Sequence, residues 1–187
     1  HLETILRVNP ELQDAKLRLA DLYGQVGRAS EGISKAKEVV AANPKAAAAP
    51  LVLGTLYRQQ GQIAQAIESL NIAIQLNPNL AAGHFALALA YQQGGEVEKA
   101  VARYRKVIAL APGDPRAYNN LAWIYVEQKR NLEEALAFAK KANELAPNVA
   151  SILDTLGWVH YHRAAYAEAE QALSKAASLA PNNAVIQ

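Results

Sequence analysis

The sequence predicts an all-α solenoid of antiparallel helix pairs, and three observations carry that prediction. Proline recurs at Pro10, Pro44, Pro78, Pro112, Pro147 and Pro181, so the spacing is 34 residues with a single step of 35. Between these prolines apolar residues return in the same phase at helical spacing. Glycine separates the two halves of the repeat at Gly27, Gly61 and Gly95, where a left-handed helix end costs glycine nothing. A fixed period of this length marks supersecondary units that bury their apolar faces only by stacking.

Placing each proline at position 32 of its unit divides the chain into 13–46, 47–80, 81–114, 115–149 and 150–183, with 1–12 and 184–187 as parts of neighbouring repeats. In the first helix of each unit, positions 7, 8 and 11 hold Leu19/Ala20/Tyr23, Leu53/Gly54/Tyr57, Leu87/Ala88/Tyr91, Leu121/Ala122/Tyr125 and Leu156/Gly157/His160. The second helix carries small residues at position 20 (Gly32, Ala66, Ala100, Ala135, Ala169) and at position 27 (Val39, Ala73, Val107, Ala142, Ala176). Small side chains there let two helix backbones approach closely. Proline then ends the helix, since it has no N–H to donate.

Three irregularities modify the pattern. Pro50 belongs in a first turn, so it delays its helix. Asp114-Pro115 supplies an N-cap and an N1 proline, giving helix 115–127 a sharp start. The fourth unit carries one extra residue near 128–131, and neither it nor the fifth has the turn glycine. A left-handed residue is therefore expected at Asn131 or a neighbour, and a strained or different turn at Ala164.

These positions resemble the tetratricopeptide repeat (TPR) family, whose motif runs W-x₂-L-G-x₂-Y, A-x₃-F, A and P. The resemblance covers nearly the whole chain. Its tryptophan position holds Lys16, Pro50, His84, Tyr118 and Leu153 instead, and its second-helix aromatic survives as Tyr104 alone. The resemblance implies a right-handed superhelix and a non-enzymatic protein-binding scaffold, with an extended peptide or partner helix held in a concave groove.

Within each first helix, positions 2, 5, 9 and 12 lie about 130° from the core stripe, and the resemblance makes this face the binding surface. The candidate residues are Leu17, Asp21, Leu51, Thr55, Arg58, Phe85, Leu89, Gln92, Asn119, Asn120, Trp123, Asp154, Trp158, Tyr161 and His162. A merely solvated face would be rich in Glu and Lys. This one offers apolar anchors with a few polar groups, the composition of a partner surface; the alternatives are that the rings pack against neighbouring helices or against a further repeat. The family's two-carboxylate clamp is absent, because only Asn120 matches it.

The segments Asn119-Asn120-Leu121-Ala122-Trp123 and Leu153-Asp154-Thr155-Leu156-Gly157-Trp158 are also similar to bacterial TPR scaffolds of envelope polysaccharide export. That resemblance implies an assembly role, with Trp123 and Trp158 stacking on polysaccharide as an alternative ligand. Self-association is a third expectation, through Leu2, Ile5 and Leu6 at one end and Leu173, Leu179 and Ile186 at the other.

Composition narrows the remaining classes. The 187 residues are 51% apolar with formal charge +2, and the 19 basic residues are scattered among 17 acidic ones. A nucleic-acid surface would concentrate charge on one face, so no nucleic-acid partner is expected. With no cysteine, disulfides, thiolate metal sites and cysteine nucleophiles are excluded. His160 and His162 point about 200° apart on a helix and cannot share a metal. Neither a phosphate loop nor a nucleophile elbow is present, so no cofactor or catalytic residue is assigned. No apolar run reaches the roughly 20 residues of a membrane span. The absence of methionine implies a fragment without its native start, which leaves cytoplasm and periplasm equally open.

Overall fold

The computed structural model describes residues 12–179, which form ten α-helices and no strand. In chain order these are α1 (Gln13–Gln25), α2 (Ala29–Ala42), α3 (Ala48–Gln59), α4 (Ile63–Leu76), α5 (Ala81–Gln93), α6 (Val97–Leu110), α7 (Pro115–Glu127), α8 (Leu132–Leu145), α9 (Ala150–His162) and α10 (Tyr166–Leu179). The expected end residues Leu2, Ile5, Leu6 and Ile186 lie outside the described residues, as do Pro10 and Pro181.

Helix ends follow from the local sequence. After α1, Val26 closes the helix and Gly27 turns left-handed at φ 79°. The N–H of Arg28 then donates to the carbonyl of Tyr23 at 2.7 Å, and that of Gly27 to Gly24 at 3.2 Å. This is a Schellman ending, in which two otherwise orphaned carbonyls find partners. The same long-reach bond recurs at Gln62 to Tyr57, Glu96 to Tyr91, Arg130 to Tyr125 and Ala165 to His160. Glycine supplies the left-handed residue in the first three turns (φ 72° to 79°), while Lys129 (φ 50°) and Ala164 (φ 59°) do so in the last two. The extra residue of the fourth unit is absorbed by a second left-handed position, Asn131 at φ 50° and ψ 41°, which leads directly into α8. Asn131 and its neighbour Lys129 both take the conformation expected there.

Two helix starts are equally legible. The Asp114 carboxylate accepts from the backbone N–H of Arg116 at 3.0 Å, with Pro115 as the first helical residue. Helix α3 begins at Ala48, so Pro50 falls in its first turn, where a missing N–H breaks no helical bond.

Two units account for the packing, the first ending at Arg103 and the second beginning at Tyr104. In the first unit α1 packs on α2 and α3 on α4, and α3 also packs against both α1 and α2. Its core places Leu53 and Leu56 of α3 among Ala20, Ala29, Ile33 and Ala36. In the second unit α7 packs on α8 and α9 on α10, with α9 also against α7 and α8. There Tyr118, Ala142 and Ile152 form a buried cluster that Phe138 joins from α8.

Close helix approach dictates glycine at two positions. A Cβ on Gly54 would lie 2.5 Å from Cγ of Leu70, and one on Gly157 would lie 2.5 Å from Cγ of Leu173. Where the first helix instead carries alanine, at Ala20 and Ala122, the facing residues are Ala36 and Ala139, all fully buried. In these four pairs the size of one residue is matched to the other, whereas the repeat that carries Ala88 has Tyr104 at the position equivalent to Ala36 and Ala139.

Candidate functional site

The face assigned to binding is built from residues that the core leaves free, and its character differs between the two units. In the first unit Leu51, Thr55 and Arg58 on α3 and Phe85, Leu89 and Gln92 on α5 are all half-exposed. The Thr55 hydroxyl donates back to the carbonyl of Leu51 at 3.0 Å, so it is satisfied within its own helix. The Arg58 guanidinium donates to the side-chain oxygen of Gln93 at 3.5 Å, which lays it across α3 and α5. Asp21 accepts from the Gln25 amide at 2.8 Å. Leu17 does not belong to this face. It is only 8% exposed and packs against Val39 and Ala49, because the next repeat covers that side of α1.

In the second unit Asn119, Asn120 and Trp123 of α7 are half-buried. The Asn120 amide donates to the hydroxyl of the fully buried Tyr104 at 2.9 Å. Its polarity is thus spent on joining α7 to α6, a structural tie that sequence spacing did not reveal. Asn119 keeps its buried carbonyl oxygen without a hydrogen-bond partner among the described residues.

The strongest feature of the second unit is an exposed aromatic cluster. Trp158, Tyr161 and Tyr166 are 37%, 49% and 64% exposed. Tyr161 is the hub. Its ring centroid lies 5.6 Å from Trp158, 5.6 Å from His162 and 5.8 Å from Tyr166, all edge-on. Edge-to-face contacts of this kind hold rings in place without burying them. Asp154 sits one turn before Trp158, whose indole N–H donates to it. Burial nonetheless pushes the Asp154 carboxyl above its ordinary range, with that hydrogen bond only partly offsetting the effect.

Tyr166 was not anticipated from the sequence. The signal was present, because the equivalent position holds Ala29, Ile63, Val97 and Leu132 in the other units. The left-handed turn at Ala164 brings α10 back so that Tyr166 meets Tyr161.

The charged residues of the second helices form surface pairs. Lys99 bonds to Glu96, Lys141 to Glu144 at 2.9 Å, and Arg163 to Glu133 at 2.7 Å. Exposed pairs of this kind contribute little to stability, because solvent screens them. Among the described residues there is no group of three potential metal ligands, and no helix is long and apolar enough to cross a membrane.

Comparison with known proteins places this geometry. Family models described as TPR repeat or tetratricopeptide repeat match residues 54–95, 85–150 and 149–180. The crystal structure of MamA is 30% identical over 77% of this chain and 84% of its own, with a TM-score of 0.66. The chain belongs to the tetratricopeptide repeat family. Its fold class is accordingly the all-α solenoid of helix pairs. YrrB, described as a TPR protein with an unusual peptide-binding site, matches 99% of the chain and 95% of its own length with a TM-score of 0.70, at 16% identity. A thermophilic TPR protein in Thermus thermophilus matches 93% of the chain and 94% of its own length with a TM-score of 0.74, at 19% identity. No curated protein matches the sequence. TPR proteins are protein–protein interaction modules, and none of the matching families is catalytic.

Proposed function

We propose that this TPR protein is a non-enzymatic scaffold that captures peptide segments or helices of partner proteins. The aromatic cluster of Trp158, Tyr161 and Tyr166 carries the reading. Aromatic side chains exposed together at one place supply large contact area at low entropic cost, which is the character of interface anchors. Asp154 and His162 at its edge provide polar groups to fix the register of a bound chain. In the first unit Leu51, Phe85 and Leu89 supply a second apolar face, with Arg58, Thr55 and Gln92 as its polar rim. YrrB, with the same fold and a peptide-binding site, supports a peptide as ligand.

A sugar chain is the competing ligand for a tryptophan beside a carboxylate. Selection of binders from a random peptide library, with oligosaccharides titrated in parallel against tryptophan fluorescence, separates the two. Peptide binders that lose about 30-fold in affinity on Trp158→Ala or Tyr161→Ala are expected, the loss typical of a hot spot. Selected peptides that bind both variants as tightly as the unmodified protein would remove this face from the proposal. A fluorescence response to oligosaccharides alone would replace the peptide by polysaccharide.

A further inference from the structure

The groove face of the first unit carries one charge where α3 and α5 meet. Among the residues at positions 2, 5, 9 and 12 of these two helices, only Arg58 is charged. Leu51, Phe85 and Leu89 share that face with it, and all four are half-exposed. Described repeats stand on both sides of α3, because it packs against α1 and α2 on one side and against α4 and α5 on the other. The exposure of Arg58 is therefore what remains after its neighbouring repeats have packed.

What Arg58 touches sets it apart from several other arginines. Arg28, Arg105, Arg116 and Arg163 each hold a carboxylate at 2.6 to 2.7 Å. Arg58 instead donates to the neutral side-chain oxygen of Gln93 at 3.5 Å, and among the described residues it meets no carboxylate. A guanidinium offers five N–H donors in a planar fork that fits a carboxylate, so most of this fork is unspent. The acids of the same groove face, Asp14 and Asp21, stand on α1. Asp21 accepts from Gln25 at 2.8 Å, while Arg58 reaches the other way, to α5.

We propose that α3 and α5 bind an extended partner segment that carries Asp or Glu about three residues from a bulky apolar residue. The acidic side chain pairs with Arg58, and the apolar one seats on Leu51, Phe85 and Leu89. Spacing sets the register. Leu51 and Arg58 are two helical turns apart, roughly 10 Å along α3, and an extended chain covers that length in about three residues. One cation calls for one carboxylate, which an acidic side chain supplies without the peptide having to end there. Apolar neighbours exclude water from the pair and strengthen it relative to one on open surface. Asp14 and Asp21 repel the same segment from α1, which keeps it over α3 and α5. The proposal rests on the reading of this protein as a peptide-binding scaffold and adds the chemistry of the bound segment.

The test uses the full chain. Random decapeptides displayed on phage are selected in parallel on the unmodified protein, on Arg58→Gln and on Trp158→Ala. The expected result is a class enriched in Asp or Glu three residues from Leu, Ile, Phe or Met. That class should appear on the unmodified protein and on Trp158→Ala, and be lost from Arg58→Gln while far-UV circular dichroism stays helical. Its members are then synthesised as acetylated C-terminal amides, so that every carboxylate is a side chain. Replacing the acidic residue by its amide is expected to weaken binding to the unmodified protein at least about tenfold in fluorescence anisotropy, for one charge-assisted hydrogen bond. This arm needs no variant, so it decides the matter even if Arg58→Gln fails to fold. Binders without acidic enrichment, acid and amide peptides of equal affinity, or undiminished binding by folded Arg58→Gln would overturn the proposal. Binders that depend on Trp158 alone would overturn it and leave the aromatic site standing, whereas no binders at all would overturn both.

Discussion

Substituting Gly54 by alanine tests the size matching that sets helix approach in this chain. The added methyl would meet Cγ of Leu70 at 2.5 Å, its Cδ2 at 2.9 Å and the carbonyl oxygen of Ala66 at 3.1 Å. Leu70 is fully buried, and Cγ lies too near its own backbone to swing aside without leaving its rotamer. Overpacking of this kind costs about 1–3 kcal/mol, whereas alanine gains roughly 1 kcal/mol over glycine in helix propensity. The single variant should therefore lose about 1 kcal/mol, the mean of the overpacking cost less the propensity gain. Leu70→Ala alone should lose about 2–5 kcal/mol through the cavity it opens. Combined, the two recreate the alanine pair already present at Ala20 with Ala36 and at Ala122 with Ala139. The clash then disappears, and the double variant should be about 1–3 kcal/mol more stable than the sum of the singles implies. Urea denaturation of all four proteins, followed by circular dichroism, measures the coupling. Additivity within about 0.5 kcal/mol, or a stabilised Gly54→Ala protein, would show that contact with Leu70 does not dictate glycine here.

Three further outcomes follow from single contacts. Ala164→Gly relieves a left-handed alanine, worth about 1–2 kcal/mol, against an entropic cost of roughly 0.5–1 kcal/mol. The melting temperature should rise by about 1–2 °C in a scanning calorimeter, and a fall would show that the turn is not strained. Asn120→Ala removes the bond to the Tyr104 hydroxyl and should cost about 1 kcal/mol while leaving selected peptides bound. A change in peptide affinity at unchanged stability would return Asn120 to the binding face. His160 titrates below its ordinary value when folded, chiefly through burial, with Lys140 and Arg163 adding to the effect and Glu168 opposing it. The unfolded chain then takes up the proton first, so its contribution to stability is lost as pH falls from about 6.5 toward the folded value. His160→Gln should flatten that limb of a melting-temperature profile, and an unchanged slope would place the titration elsewhere.

How far the sequence reached depended on the range of the interaction involved. The turns were legible because their determinants are adjacent in the chain. A glycine is enough to locate three of the left-handed residues, and the extra residue near 128–131 pointed to Asn131 or a neighbour, whereas left-handed Asn148 had no such signal. Asp114 and Pro115 likewise mark the start of α7 without reference to any other helix. The candidate binding face was legible only as a stripe. Periodicity showed which way Leu17 and Trp158 point along their helices, yet Leu17 is buried and Trp158 exposed.

By itself, then, the sequence determined the repeat, the helix pairs and the conformation of the turns, since all of these depend on spacing and local backbone preference. Only the tertiary structure decided which variable residues remain free. Burial depends on neighbours from other helices that no period within one helix encodes. That is why the tie from Asn120 to Tyr104 and the meeting of Tyr166 with Tyr161 emerged only once the helices were packed.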